Sequence, residues 1–297
     1  MPLLAADNSL PSSSLLKLIP EMEFGAPATN ATISAALAQE IESSAAALER
    51  LGAKDLAVAP TLSDSWRLVY SNGREVLARF PGIHPQIHAH VLASAPCFPC
   101  FWSHRHTSVC PCPTWQITNL ASGLPLGFAL GRTFQPLDVP TGRFENIGQI
   151  EHKLGLATAS TLVIGDVRRA PLGTLNAAGT VNAAGNRVDV DFRRLVFGLD
   201  SVLGRPLDPP LRKVIVPQQK AGVAQPANDV TYLDGVCRVT RGGDDSLFIF
   251  RREPSDRPML SLEERAALYA EGGESAETGS GKAAGGAPPE LRALLRQ

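Results

Sequence analysis

The residues best suited to chemistry crowd into one stretch of the chain. Residues 76–116 hold four of the five cysteines, Cys97, Cys100, Cys110 and Cys112, and five of the six histidines, His84, His88, His90, His104 and His106. Cys97 and Cys100 form a C-x-x-C pair. With His104, His106, Cys110 or Cys112 they offer the soft nitrogen and sulfur donors of a tetrahedral zinc site. Pro96, Pro99, Pro111 and Pro113 crowd those cysteines, and a zinc knuckle needs turns that present both ligand pairs. The stretch has neither helical nor strand periodicity, and some forty structureless residues inside a β-rich pattern argue against a designed element. It reads first as a retained intron translated in frame, next as a disordered insert and last as a metal site. Tyr70-Ser71-Asn72-Gly73-Arg74-Glu75 would run smoothly into Ile117-Thr118-Asn119-Leu120, with Val76 suiting a GT-initial codon and Gln116 a terminal CAG. No metal and no cofactor are therefore expected.

Outside that stretch the chain carries little catalytic equipment. There is no G-x-S-x-G elbow, no P-loop and no G-x-G-x-x-G after a strand. His152 is the only other histidine, so a Ser/His or Cys/His device would have to include it. Cys237 sits in a strand pattern and reads as a small buried hydrophobe. Asp189 and Asp191 share a strand face opposite Val188, Val190 and Phe192, which makes it the solvent face. The protein is expected not to be an enzyme. Its net charge of −1 argues against a nucleic-acid partner, which would need clustered Lys and Arg. No apolar run reaches the roughly 18–20 residues of a membrane span, so any contact with lipid would be peripheral or within a cavity. The first arginine is Arg50, while Asp7, Glu21 and Glu23 come early. That is unlike an Arg- and Ser-rich transit peptide, and no secretory signal is visible. The chain reads as cytosolic as written, or its targeting segment is missing.

The elements that would position any site follow from periodicity. After a mixed segment over residues 1–29, Ile33, Leu37, Ile41, Ala45 and Leu48 recur at spacings of three and four, predicting a helix with Gly52 as its C-cap. From Ser65 the period is two. Trp66, Leu68 and Tyr70 alternate with Arg67 and Val69, and similar alternation runs through Val188–Arg193, Val230–Tyr232 and Leu247–Phe250. Ser71-Asn72-Gly73, Ala184-Gly185-Asn186 and Arg241-Gly242-Gly243-Asp244 mark turns. About seven short strands and no helix are expected between residues 132 and 252, favouring an antiparallel barrel or sandwich. Ser261-Leu262-Glu263-Glu264 is a capping box that starts a helix to about Glu271. Residues 272–288 read as a flexible linker, and Pro288-Pro289 starts a last helical turn around Leu291–Leu295.

With residues 76–116 set aside, the chain resembles the plastid lipid-associated protein (PAP)/fibrillin family. Trp66-Arg67-Leu68-Val69-Tyr70-Ser71 is similar to the family's entry strand. Gly123-Leu124-Pro125-Leu126-Gly127-Phe128 followed by Phe134-Gln135-Pro136-Leu137-Asp138, then Phe144-Glu145-Asn146-Ile147, resemble the segments after it. Pro206-Leu207-Asp208-Pro209-Pro210, Thr231-Tyr232-Leu233-Asp234, Arg238-Val239-Thr240-Arg241-Gly242 and Leu247-Phe248-Ile249-Phe250 look like its C-terminal signature. Two departures stand out: Asp64 replaces a glycine two residues before the tryptophan, and Gly235-Val236 replaces an acidic pair.

The resemblance covers residues 30–75 and 117–252. It implies a mainly β fold, a lipocalin-like antiparallel β-barrel over residues 30–252 with an N-terminal helix and a short C-terminal helical tail within 253–297. It further implies a plastid location, at plastoglobules or thylakoids, and binding or coating of apolar lipids such as prenylquinones and carotenoids. The alternative is a scaffold that positions an enzyme of plastid isoprenoid lipid metabolism, with the Ser261–Glu271 helix as docking element.

A small barrel either fills its interior with side chains or holds one apolar ligand. The bulky candidates for such a lining are Trp66, Tyr70, Phe134, Phe144, Phe192, Tyr232 and Phe248, with Phe197 and Phe250 as further aromatics. Asp234, Arg238 and Arg241 are the polar candidates: Asp234 and Arg238, four residues apart on a strand face, could pair at the pocket mouth if they point inward, the favoured alternative being a solvated outer-face ladder or a structural salt bridge.

Overall fold

A computed structural model describes residues 11–72, 127–217 and 227–271. The expected insert at 76–116 with its cysteines, the Gly123–Leu126 motif, the linker and the last helical turn lie outside the described residues. Within them the protein is mainly β: ten strands in one sheet, with three helices.

Helix α1 spans Ser12–Leu18 and α2 spans Ala35–Glu49. The predicted stripe forms α2: Ser34 Oγ caps the Leu37 amide at 3.3 Å, and Ala38, Ile41, Ala45 and Leu48 are the buried positions. The helix closes on Arg50, and Gly52 follows with φ +51°. Helix α3, Leu262–Ala270, begins at the predicted capping box, in which Ser261 Oγ accepts from the Glu264 amide and Glu264 reaches back to the Ser261 amide.

The strands are β1 (Ala28–Thr29), β2 (Ser65–Ser71), β3 (Phe128–Asp138), β4 (Arg143–His152), β5 (Ala157–Arg169), β6 (Arg187–Val202), β7 (Arg205–Ile215), β8 (Ala227–Leu233), β9 (Cys237–Gly242) and β10 (Leu247–Arg252). Their order is β1-β2-β10-β9-β8-β6-β5-β4-β3, and β3 also pairs with β2 over Ser65–Arg67 and Phe134–Pro136. The sheet is mixed rather than wholly antiparallel, because β1 runs parallel to β2 through Ala28–Tyr70 and Thr29–Ser71. Several strands are longer than the sequence suggested. Besides pairing β5 along its length, the 16-residue β6 serves two further neighbours, its start pairing β8 and its end pairing β7. The Pro-rich stretch 206–210 lies in β7, which pairs only β6 among the described strands; an edge position is where proline's missing donor is tolerated.

Register partners in antiparallel ladders share a face, which sorts the apolar residues into two sets. On the first face Trp66, Leu68 and Phe250 form one cluster. Leu137, Phe144, Val167, Val188, Val190 and Val230 form another, packed against Leu56, Ala57 and Leu62 of two 3-10 turns, Leu56–Val58 and Pro60–Leu62. The second face carries all three helices. Leu15, Ile41, Ala45 and Leu48 cover Tyr70, Cys237, Val239, Leu247 and Ile249, while Leu268 of α3 covers Ile164 and Val196.

Candidate functional site

The first face is built upward from a closed end. Trp66 is fully buried, and its indole Nε1 donates to the Leu62 carbonyl at 2.9 Å. Arg252 lies over the same ring, 5.2 Å from its centroid, and donates to the Thr61 carbonyl at 2.9 Å. Trp66 near the start of β2 and Arg252 at the end of β10 are thus both tied to the Pro60–Leu62 turn, which seals this end with backbone as well as apolar contacts.

One turn higher sits a buried cation. Arg238 is 1% exposed, with its guanidinium carbon 3.9 Å from the Phe250 ring and 5.3 Å from Trp66. It donates to Gln135 Oε1, and its Nε has no hydrogen-bond partner. Among the described residues no carboxylate pairs with it. Burial pushes its pKa down to about 9, which leaves it charged at neutral pH; two aromatic faces compensate for part of the lost water.

The other end of the face is apolar and half-buried. Leu130, Ile150, Ala159, Leu199 and Leu211 are successive register partners across β3, β4, β5, β6 and β7, forming one apolar rung over five strands. Their exposure is intermediate for the first four and 39% for Leu211. At the next position outward Phe128 meets His152 edge-on, with ring centroids 5.0 Å apart. Phe197 shares the face through its partner Thr161.

The expected lining residues divide between the faces. Trp66, Phe144, Phe192 and Phe248 lie on the first face, and Phe144 and Phe192 meet at 6.0 Å. Tyr70 and Tyr232 lie on the second face under the helices. Phe134 shares that face with its partners Arg67 and Ile147. The physical reason is a pair of register shifts, at Ile249/Phe250 in the β2–β10 ladder and at Val230/Tyr232 in the β8–β9 ladder. They break the alternation that would have put Trp66 and Tyr70 together. Tyr70 Oη instead donates to Glu42 at 2.8 Å and contacts Asn30, and burial first, then Glu42, raises its pKa.

Asp234, Arg238 and Arg241 do not meet. Strand β8 ends at Leu233, so Asp234 lies in the following turn, where it accepts from Ser12 (2.5 Å), Tyr232 (2.8 Å) and the amides of Val236 and Cys237. Burial alone would raise this carboxyl; those donors outweigh it and hold it below its ordinary range. Arg238 and Arg241 stand an odd number of residues apart and so face opposite ways. Arg241 forms a two-pronged pair with Glu49 of α2, both contacts at 2.8 Å. The candidate pairing at a pocket mouth is thereby corrected: these residues fasten α1, α2 and the strand interior.

The signal missed in the sequence is the rung, because its five members come from five strands and only register unites them. A separate open groove of about 540 Å³ lies beside Glu49, Asn182, Asp229, Arg241 and Asp245. The Glu49–Arg241 pair, Asp229 paired to Arg187 at 2.6 Å, and Asp245 give it a polar lining. Cys237 is fully buried under the helices, and burial pushes its thiol pKa up, away from nucleophilic use. Among the described residues no group of three or more His, Cys, Asp or Glu side chains could hold a metal, and no helix is long and apolar enough to cross a membrane.

Comparisons with known proteins add no relative: no family model matches the chain, no curated protein matches it, and no solved structure matches it. Fold and site therefore define the class by themselves, a mainly β protein built on one large mixed sheet.

Proposed function

We propose that the protein is a non-catalytic lipid-associated protein whose eight mutually paired strands, β2-β10-β9-β8-β6-β5-β4-β3, form a lipocalin-like β-barrel with the first face inward. The observation that carries this reading is the rung Leu130–Ile150–Ala159–Leu199–Leu211, an apolar band left half-covered at the end opposite the Trp66 closure. Removing apolar ligand surface from water there stabilises a complex by roughly 25 cal/mol per Å². Prenylquinones or carotenoids fit such a band, and a plastoglobule or thylakoid surface in a plastid is where the family resemblance would place them. The polar groove and the buried Cys237 offer no comparable case for a reaction.

Less supports the scaffold alternative, whose named docking element is already partly engaged within the protein. The apolar side of α3 already covers Ile164 and Val196, and Arg265 on that helix donates to the Gly165 carbonyl at 2.5 Å and to Asp166 at 2.8 Å. An enzyme partner would have to meet another surface.

Mass spectrometry of the lipids retained by the purified full chain tests the proposal. Stoichiometric apolar lipid, reduced by Ile150→Asp, is the expected result. A lipid-free protein that also fails to take up plastoquinone in detergent, but co-purifies with a biosynthetic enzyme, would favour the scaffold.

A further inference from the structure

Beyond the rung, at the same end of the sheet, two turns lie side by side. The β4–β5 turn carries Lys153-Leu154-Gly155-Leu156 and the β6–β7 turn carries Val202-Leu203-Gly204-Arg205. Ala157 pairs Val202, and the Leu203 amide donates to the Leu156 carbonyl at 2.5 Å, which fixes the turns against each other. Leu154 is 77% exposed, Leu203 72%, Leu156 44% and Val202 39%. Four large apolar side chains at one tip bury little within the protein.

The backbone makes the choice of leucine more pointed. Leu203 and Gly204 form a two-residue hairpin loop with φ +51° and +72°. Such loops favour Asn-Gly, Asp-Gly or Gly-Gly, because a branched apolar side chain is strained in the left-handed region. Here a leucine is held in that conformation, projecting outward and gaining no packing in return. Strain kept at an exposed apolar tip points to use rather than to folding.

Charge decides what the tip meets. The two turns, 153–156 and 202–205, include two cations, Lys153 and Arg205, and no acid, while Glu151 and Asp208 lie on the strands behind them. Leucines at the apex with cations behind them match the interface of a lipid monolayer or bilayer that carries anionic headgroups. We propose that Leu154, Leu156, Val202 and Leu203 insert into such a surface, with Lys153 and Arg205 at headgroup level, so that the rung Leu130–Leu211 opens toward the acyl region. This deepens the lipid reading above and rests on it.

Flotation of the full chain on phosphatidylcholine vesicles, with and without phosphatidylglycerol, tests the tip. Leu203→Asn should leave the melting temperature unchanged or raise it, since the strain is relieved, while lowering partition about tenfold. Lys153→Gln and Arg205→Gln should each lower partition about five-fold on phosphatidylglycerol vesicles and leave it unchanged on neutral ones. Unchanged flotation of the Leu154→Ser/Leu203→Asn double variant overturns the inference. So does a wild-type dimer in sedimentation that the double variant dissolves without change in flotation, which would make the tip a contact between two copies. Lipid retained by a wild-type protein that no vesicle recruits would sink the tip alone; tip-dependent flotation of a protein that retains no lipid would sink the barrel reading alone.

Discussion

Arg238 and Phe250 stand directly opposite each other across β9 and β10, the guanidinium carbon 3.9 Å from the ring centroid and closed from water. The relationship makes a charged residue part of the packing at the centre of the first face. Its hydrogen bond goes to a neutral amide, Gln135, so the charge is screened by aromatic faces rather than cancelled by a carboxylate.

Replacement of Arg238 should therefore separate shape from charge. Arg238→Met keeps most of the volume and removes a buried cation, so its stability should fall within about 1.5 kcal/mol of the wild type, or exceed it. Arg238→Ala leaves a cavity between Trp66 and Phe250 and should cost about 3 kcal/mol. Urea denaturation measures both. A methionine variant as damaged as the alanine variant would mean that the charge itself holds the face together.

Glu145 provides a pH test. It is 1% exposed and accepts from the Leu260 amide at 3.1 Å. Burial raises its pKa, with the Leu260 amide, Arg265 and Arg143 opposing. A carboxyl raised on folding favours the protonated native state. Its contribution is fully present below the unfolded pKa and is lost as pH rises through the folded one. Glu145→Gln should accordingly be more stable than wild type at neutral pH, with the gain shrinking as pH falls through the carboxylate range. Melting curves across that range check the sign; a variant less stable at neutral pH would show that the ionised form is the favoured one.

Tyr70 tests the division between faces. Tyr70→Phe removes the donor to Glu42 and should cost about 1 kcal/mol of stability while leaving retained lipid unchanged, because the side chain lies under α1 and α2. A change in lipid content without a change in stability would place Tyr70 at the ligand after all.

The stretch 76–116 is tested by deletion. Strands β2 and β3 are antiparallel neighbours, so residues 73–75 and 117–126 suffice to join them. Removing the stretch should preserve the fold and lower the closure entropy of that connection by about 1 kcal/mol. Transcript sequencing gives the companion result, a message lacking those codons. Loss of folding on deletion would show that the stretch belongs to the native protein.

Much of the local structure was legible. The apolar spacing from Ile33 to Leu48 defines α2 because 3.6-residue periodicity is a property of the segment alone, and the Ser261–Glu264 capping box starts α3 for the same reason. The strand alternation around Trp66 and Phe248 was equally local. The site was much less legible. Tyr70 and Trp66 are the same step apart as any two inward residues, yet register shifts in neighbouring ladders put them on opposite faces. The two tip turns were not among the turn signals read from the sequence, and that they meet depends on the β5–β6 register.

While α1 went unread in a segment without clear periodicity, the sequence by itself determined the helix over the Ile33–Leu48 stripe, the start of α3 at its capping box and the strand alternation around Trp66 and Phe248. Those are properties of neighbours along the chain. The tertiary structure alone decided that β3 pairs back to β2, that Arg238 rests on Phe250, and that Leu130, Ile150, Ala159, Leu199 and Leu211 form one rung. Register between strands depends on bulges and on pairings between segments far apart in the chain, and no local pattern encodes it.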